Sequence, residues 1–166
     1  MPRRVIPPTL PPEFGVYFAL LEVSGLLRQG SERQLREEGG LSFVQFQILA
    51  TLGEDPTTPR SMTYLADRLV HSKSGLTYQV GRLEQTGLVS RTPSPDDDRG
   101  VNATLTADGA ALLARVLPGH VAMVQQVFVD ALGAADRDHL TRLLDLVARH
   151  LRASPPRSAR VAAKPA

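Results

Sequence analysis

Ser72, Lys73, Ser74, Thr77, Tyr78, Gln79 and Arg82 concentrate hydrogen-bonding and cationic side chains in one short stretch. Leu76, Val80 and Leu83 stand among them at i, i+4 and i+7, so a helix here buries those three and turns Ser74, Thr77, Tyr78 and Arg82 outward. Lys73 falls at the start of that helix and Gln79 on its flank. A rod with donors and acceptors along one side can address base edges in a major groove, while the flexible ammonium of Lys73 suits a phosphate. The plain alternative is a solvated helix face, and the neighbouring segments decide between the two.

Other chemistry is sparse. Asp96, Asp97 and Asp98 precede Arg99 in the loop PSPDDDRG, but adjacent carboxylates at a turn cannot converge on one cation without further ligands. Arg99 reads either as a loop residue paired with Asp96 or Asp98, or as a probe reaching outward. His71, His120, His139 and His150 lack compact ligand spacing; His71 is a turn residue or a phosphate contact, and the others are expected at the surface or at helix ends. The absence of cysteine excludes disulfides, Cys-ligated zinc or iron–sulfur, and thiol chemistry. No Ser/His/Asp set and no glycine-rich phosphate loop stands out. The expectation is a protein that is not an enzyme, with no cofactor and no metal.

The 166 residues, 42% hydrophobic and 22% charged, suit one domain or two small ones sharing a core. Prolines cluster at both ends, which read as disordered tails over 1–12 and 153–166. Phe14, Tyr17, Phe18, Leu21, Leu27 and Leu35 recur at helical spacing; Gly30 is a candidate interruption and Gly39–Gly40 a stop. Ser42 and Gln45 match a capping box, with Leu41 and Phe46 as its hydrophobic staple, before a short helix that Gly53 ends. Ser61 caps a third helix carrying Met62, Leu65, Ala66 and Leu69. Only Val70 and His71 then precede Ser72, the cap of the polar-faced helix, which stops before Gly87.

Leu88 to Arg91 is strand-like, and Val101, Ala103 and Leu105 alternate with Asn102 and Thr104, so the two segments can pair as a hairpin. Thr106 caps a long helix with an apolar stripe, in which Pro118 predicts a kink or break near Leu117. Leu140, Leu143, Leu144, Val147 and Leu151 mark a last helix. These stripes are richer than one small domain needs. No stretch reaches the roughly 18 uncharged apolar residues of a membrane span, and the N-terminus lacks the apolar run of a signal peptide, so a cytoplasmic location is expected.

Charge is local. The chain carries 19 basic and 17 acidic residues, but Arg3, Arg4, Arg152, Arg157, Arg160 and Lys164 lie outside 13–151. That interval holds 13 basic against 17 acidic residues, a net of −4. Within it, residues 60–91 hold Arg60, Arg68, Lys73, Arg82 and Arg91 against Asp67 and Glu84, a net of +3. Helix, tight turn, polar-faced helix and hairpin make a winged helix-turn-helix in a mainly α chain with a small β-hairpin wing, and its binding to double-stranded DNA should be strongly salt-dependent.

The stretch 65–109 resembles the DNA-reading region of the MarR family of bacterial transcription regulators. Asp97 and Arg99 match the family's wing signature, and Leu105, Thr106 and Gly109 match the strand end that follows it. The resemblance extends less specifically over about 14–151. It implies a homodimer, with 13–40 and 107–152 as a helical dimerisation region and 41–106 as the DNA-binding domain. It also implies that Arg99 enters the minor groove with Asp97 bracing the wing. Phe14, Tyr17, Phe18, Phe46 and Met123 would line an effector cavity, or simply pack the core. The chain departs from the family in having Gly100 where many relatives have a second basic residue, and in the three aspartates before Arg99. Cysteine-based oxidant sensing is excluded. The expected function is a repressor that binds a pseudo-palindromic operator and is released by a small molecule. A winged-helix protein-interaction module and a small hydrolase built on the aspartates and a histidine are the competing readings.

Overall fold

Three serines start three consecutive helices. In the computed structural model, which describes residues 10–95 and 100–153, α2 (Phe43–Gly53) opens on Ser42. Its Oγ accepts from the Gln45 amide at 3.3 Å, and the Gln45 side chain accepts from the Ser42 amide at 3.0 Å. α3 (Met62–Leu69) and α4 (Lys73–Gln85) open on Ser61 and Ser72, which accept from the amides of Tyr64 and Gly75. Each cap satisfies an amide that the first turn would leave bare. The turn joining α3 to α4 puts Val70 at φ +56°, a conformation that β-branched residues rarely adopt. The Val70 and His71 amides both donate back to the Ala66 carbonyl.

The first helix, α1 (Gly15–Gly39), runs through Gly30 without interruption. Gly30 and Gly39 instead make room for α5 (Ala107–Val127). A Cβ on Gly39 would lie 2.7 Å from Val116 Cγ1, and one on Gly30 would lie 3.5 Å from Met123 Sδ. The helix ends where Gly40 turns left-handed at φ +65°. α5 likewise continues through Pro118 without the break that was one of the two expectations near Leu117. The proline removes a single N–H bond, and buried Val116 anchors the preceding turn in the core.

β2 (Val89–Pro93) and β3 (Val101–Leu105) form the hairpin, with Val89 opposite Leu105 and Pro93 opposite Val101. A third strand, β1 (Arg60–Ser61), lies on the other side of β3. Two residues are too few to show alternation, so periodicity could not reveal it. β2 is an edge strand, where Pro93 is tolerated. The core gathers Leu35, Leu41, Phe46, Ile48, Leu49, Leu52, Leu65, Leu76, Val80, Leu83, Val89, Ala103 and Val116.

The chain forms two compact units, 1–124 and 125–166. Within the first, Val16, Tyr17, Leu20, Leu21, Val23 and Leu26 of α1 and Leu117 and Val121 of α5 are exposed. Within the second, α6 (Ala134–Ala153) exposes Leu143, Leu144, Leu146, Val147 and Leu151. By length and composition the stretch Ala107–Ala131 could cross a membrane, the mean hydropathy of its most apolar window being 1.3. Asp108, Arg115 and Asp130 interrupt it, so it holds no wholly uncharged run of that length. Only 6% of its most apolar window is buried, while its first turn and Val116 are packed into the first unit.

Thr106 joins that first turn to the hairpin. Its Oγ1 donates to the Gly87 carbonyl at 2.7 Å and accepts from the Gly109 amide at 3.0 Å, and its amide donates to the Leu88 carbonyl at 3.2 Å. A Cβ on Gly109 would stand 2.1 Å from the Leu88 carbonyl oxygen, a backbone atom that cannot rotate away. Elsewhere a helical Gly→Ala change gains about 1 kcal/mol. Here overpacking, about 1–3 kcal/mol or more, outweighs that gain. Gly109→Ala should therefore lower the urea midpoint, while Gly81→Ala, whose Cβ would meet nothing within 4 Å, should raise it. Equal shifts in the two variants would disprove the close approach.

Candidate nucleic-acid interface

The periodicity of α4 divides its side chains. Leu76, Val80 and Leu83 are buried in the core; Ser74, Thr77, Tyr78 and Arg82 are exposed, and Gln79 is half-buried on the flank. Tyr78 is 65% exposed despite its aromatic ring. Ser72 and Thr77 are engaged by their own helix, Ser72 as the cap and Thr77 donating to the Lys73 carbonyl at 2.8 Å. Ser74, Tyr78 and Arg82, spaced four apart, form the outward ridge. Arg82 and Lys73 have no ion pair among the described residues.

The other cations of this region are held internally. Arg68 Nη2 lies 3.0 Å from Glu54, and Arg91 reaches Glu84 Oε2 through Nη2 at 2.5 Å and Nε at 2.7 Å. Arg60 Nη2 lies 3.7 Å from Asp55. Glu54 and Asp55 precede residue 60, so the local count of +3 left them out, and the folded lobe is less positive than that count suggested. Among the described residues of this region, Lys73 and Arg82 are the cations without an ion pair, one at the start and one in the last turn of α4. The Glu84–Arg91 pair also ties α4 to β2, which fixes the hairpin beside the ridge. At the hairpin's far end the Ser94 amide donates to the Gly100 carbonyl at 2.9 Å. Asp97 and Arg99, like most of the two tails, lie outside the described residues.

A cleft of about 560 Å³ separates the first turn of α4 from the hairpin; Arg60, Ser61, Tyr64, Lys73, Thr77 and Asn102 are among its lining residues. The five aromatic and methionine candidates for an effector cavity are dispersed. Phe14 and Tyr17 are exposed, with Phe18 edge-on to Tyr17 at 5.4 Å; Phe46 is buried, and Met123 is half-buried against Gly30. None of the five lines this cleft or a second, similarly sized one along α1. No group of three or more His, Asp or Glu among the described residues could hold a metal ion.

A helix-turn-helix whose second helix presents a polar ridge, with a hairpin fixed beside it, defines a winged-helix DNA-binding protein. The sequence profile of the MarR family matches residues 39–100. The chain is 36% identical to the HTH-type transcriptional regulator PecS of Dickeya dadantii (strain 3937) over 112 residues, 67% of each chain. It superposes on Sco3205, a MarR family transcriptional regulator from Streptomyces coelicolor solved in complex with DNA, with a TM-score of 0.80 and 35% identity, covering 86% of this chain and 93% of that one. AbsC, a MarR family regulator from the same organism, gives a TM-score of 0.79 at 34% identity, covering 92% and 100%. The chain belongs to the MarR family. It is a DNA-binding transcription regulator, not an enzyme.

His120 departs from the expectation of a surface or helix-end residue. Its ring packs 4.5 Å from that of Phe46 and 6.3 Å from that of Phe43, and its Nδ1 is buried without a hydrogen-bond partner among the described residues. Its place opposite Phe46 depends on how α5 crosses α2, which spacing alone does not reveal. Burial pushes its pKa below the usual 6.5. The unfolded chain therefore binds the proton more readily, so stability present above pH 6.5 is lost as pH falls from there through the folded-state value. The urea midpoint should drop between pH 7 and pH 5, and His120→Phe should drop less. An identical pH slope in the variant would mean that His120 does not carry this dependence.

Proposed function

We propose that the chain is a homodimeric repressor that binds a pseudo-palindromic operator through two copies of α4, with half-sites about one helical turn, roughly 34 Å, apart. The observation that carries this reading is the ridge Ser74, Tyr78 and Arg82 beside Lys73, unpaired among the described residues, backed by a fully buried stripe. Arg82 can address a guanine edge, and Ser72, Lys73, Thr77 and Gln79 surround it as backbone and flank contacts. Arg99 enters the minor groove and Asp97 braces the wing. A narrow A·T-rich groove concentrates negative potential there.

Residues 13–40 and 107–152 form the dimerisation region, 41–106 the DNA-binding domain, and 1–12 and 153–166 the tails. The apolar faces left open on α1, α5 and α6 support dimerisation, since exposed apolar area of this extent marks an interface. Operator binding places the protein in the bacterial cytoplasm. A small effector bound near Phe14, Tyr17, Phe18, Phe46 and Met123 would release DNA only by preferring a half-site spacing different from the bound one.

Selection from random duplexes should enrich a twofold-symmetric site; enrichment of an asymmetric site alone would sink the dimeric reading. Against that site, Arg82→Ala and Tyr78→Ala should each cut discrimination from random DNA, by about 1–3 kcal/mol for Arg82. Undiminished discrimination would remove them from the base-reading set. Arg99→Ala should flatten the log–log salt dependence by about one unit if it holds one phosphate, and an unaltered slope would assign it to groove shape.

A further inference from the structure

The cleft between α4 and the hairpin contains a cation that the ridge does not explain. When a helix occupies the major groove and its wing the adjacent minor groove, one sugar-phosphate strand runs between them. On the protein, that strand must cross the surface between the first turn of α4 and the far end of the hairpin. The cleft occupies that position. It brings together Arg60 from β1, Lys73 and Thr77 from α4, and Asn102 from β3.

Arg60 is positioned but not saturated. Tyr64 supports its guanidinium, 5.0 Å from the ring centroid, which holds the fork in one plane. Asp55 touches it through Nη2 alone at 3.7 Å, near the outer limit of an ion pair. The Asp55 carboxylate is mainly occupied by Thr58 and Thr57, whose hydrogen bonds keep its pKa low, with Arg60 adding a smaller attraction. Arg60 Nε is buried without a partner among the described residues, a cost that a ligand drawing the guanidinium outward would relieve. Lys73, across the cleft, is exposed and unpaired among the described residues. Two cations with the Asn102 amide at hand make a seat for a phosphodiester.

We infer that Arg60, with Lys73, grips the DNA phosphate that separates the major-groove contact from the minor-groove contact, and that Asp55 restrains Arg60 until DNA arrives. This rests on the DNA-binding reading above. The site sets affinity and register and reads no sequence, because a phosphate carries none.

The test is fluorescence anisotropy with the selected operator duplex and a random duplex over a salt series. Arg60→Gln should weaken both by a similar factor, about tenfold, as expected for a charged hydrogen bond, and flatten the salt slope by about one unit. Asp55→Asn should tighten both. The operator-to-random ratio should stay constant in each. Wild-type affinity and slope in Arg60→Gln, or a loss confined to the operator, would overturn the inference. Should Arg60→Gln fail to fold by circular dichroism, a scan of neutral methylphosphonates along the operator decides. One substitution between the two grooves should cost the wild type affinity and cost Lys73→Gln less; equal costs at every phosphate would overturn it. Failure of the wild type to bind any duplex would instead refute the DNA-binding reading itself.

Discussion

Burial of Leu76, Val80 and Leu83 leaves α4 only one orientation. The helix packs on α2, α3 and β2, and a rotation that freed Tyr78 from solvent would bring those three side chains into water. Each apolar side chain of this size is worth about 1.5–3 kcal/mol when fully buried. That is enough, over three, to hold the outward ridge rigidly. A DNA-reading surface needs such rigidity, because side chains that must first be ordered lose the affinity their contacts would give. The three serine caps and the Thr106 junction serve the same end by fixing where the elements begin.

Electrostatics in the lobe are governed by what the fold does with its cations. Arg68 and Arg91 are held by Glu54 and Glu84, and Arg60 loosely by Asp55. Exposed pairs of this kind contribute little to stability. Their effect is to narrow the free positive charge to α4 and to the cleft beside it. A lobe that attracts DNA through a few placed cations within a chain region of net negative charge discriminates better than one uniformly basic, since nonspecific attraction grows with every phosphate neutralised.

Glycine has three separate uses here. Gly30 and Gly39 bring α1 and α5 together, Gly109 admits the Leu88 carbonyl, and Gly40 and Gly87 turn left-handed. Only the last use is a stop. Gly30 does not interrupt α1, because its missing side chain is where the neighbouring helix lies. Pro118, too, lies within a continuous helix. One lost hydrogen bond does not break a helix that is anchored by buried Val116.

The chain's own periodicity determined the helix order, the serine caps, the hairpin and the polarity of α4, because these follow from i, i+3, i+4 and i, i+2 spacing within one segment. The outward set Ser74, Thr77, Tyr78 and Arg82 was legible for that reason. Tertiary structure alone decided what depends on distant residues meeting: β1 beside β3, His120 on Phe46, the pairing of Arg60 and Arg68 with acids outside their segment, and the cleft between α4 and the hairpin. Spacing records which face a side chain takes on its own element, but the identity of its neighbour is set by packing between elements, and no local pattern encodes that.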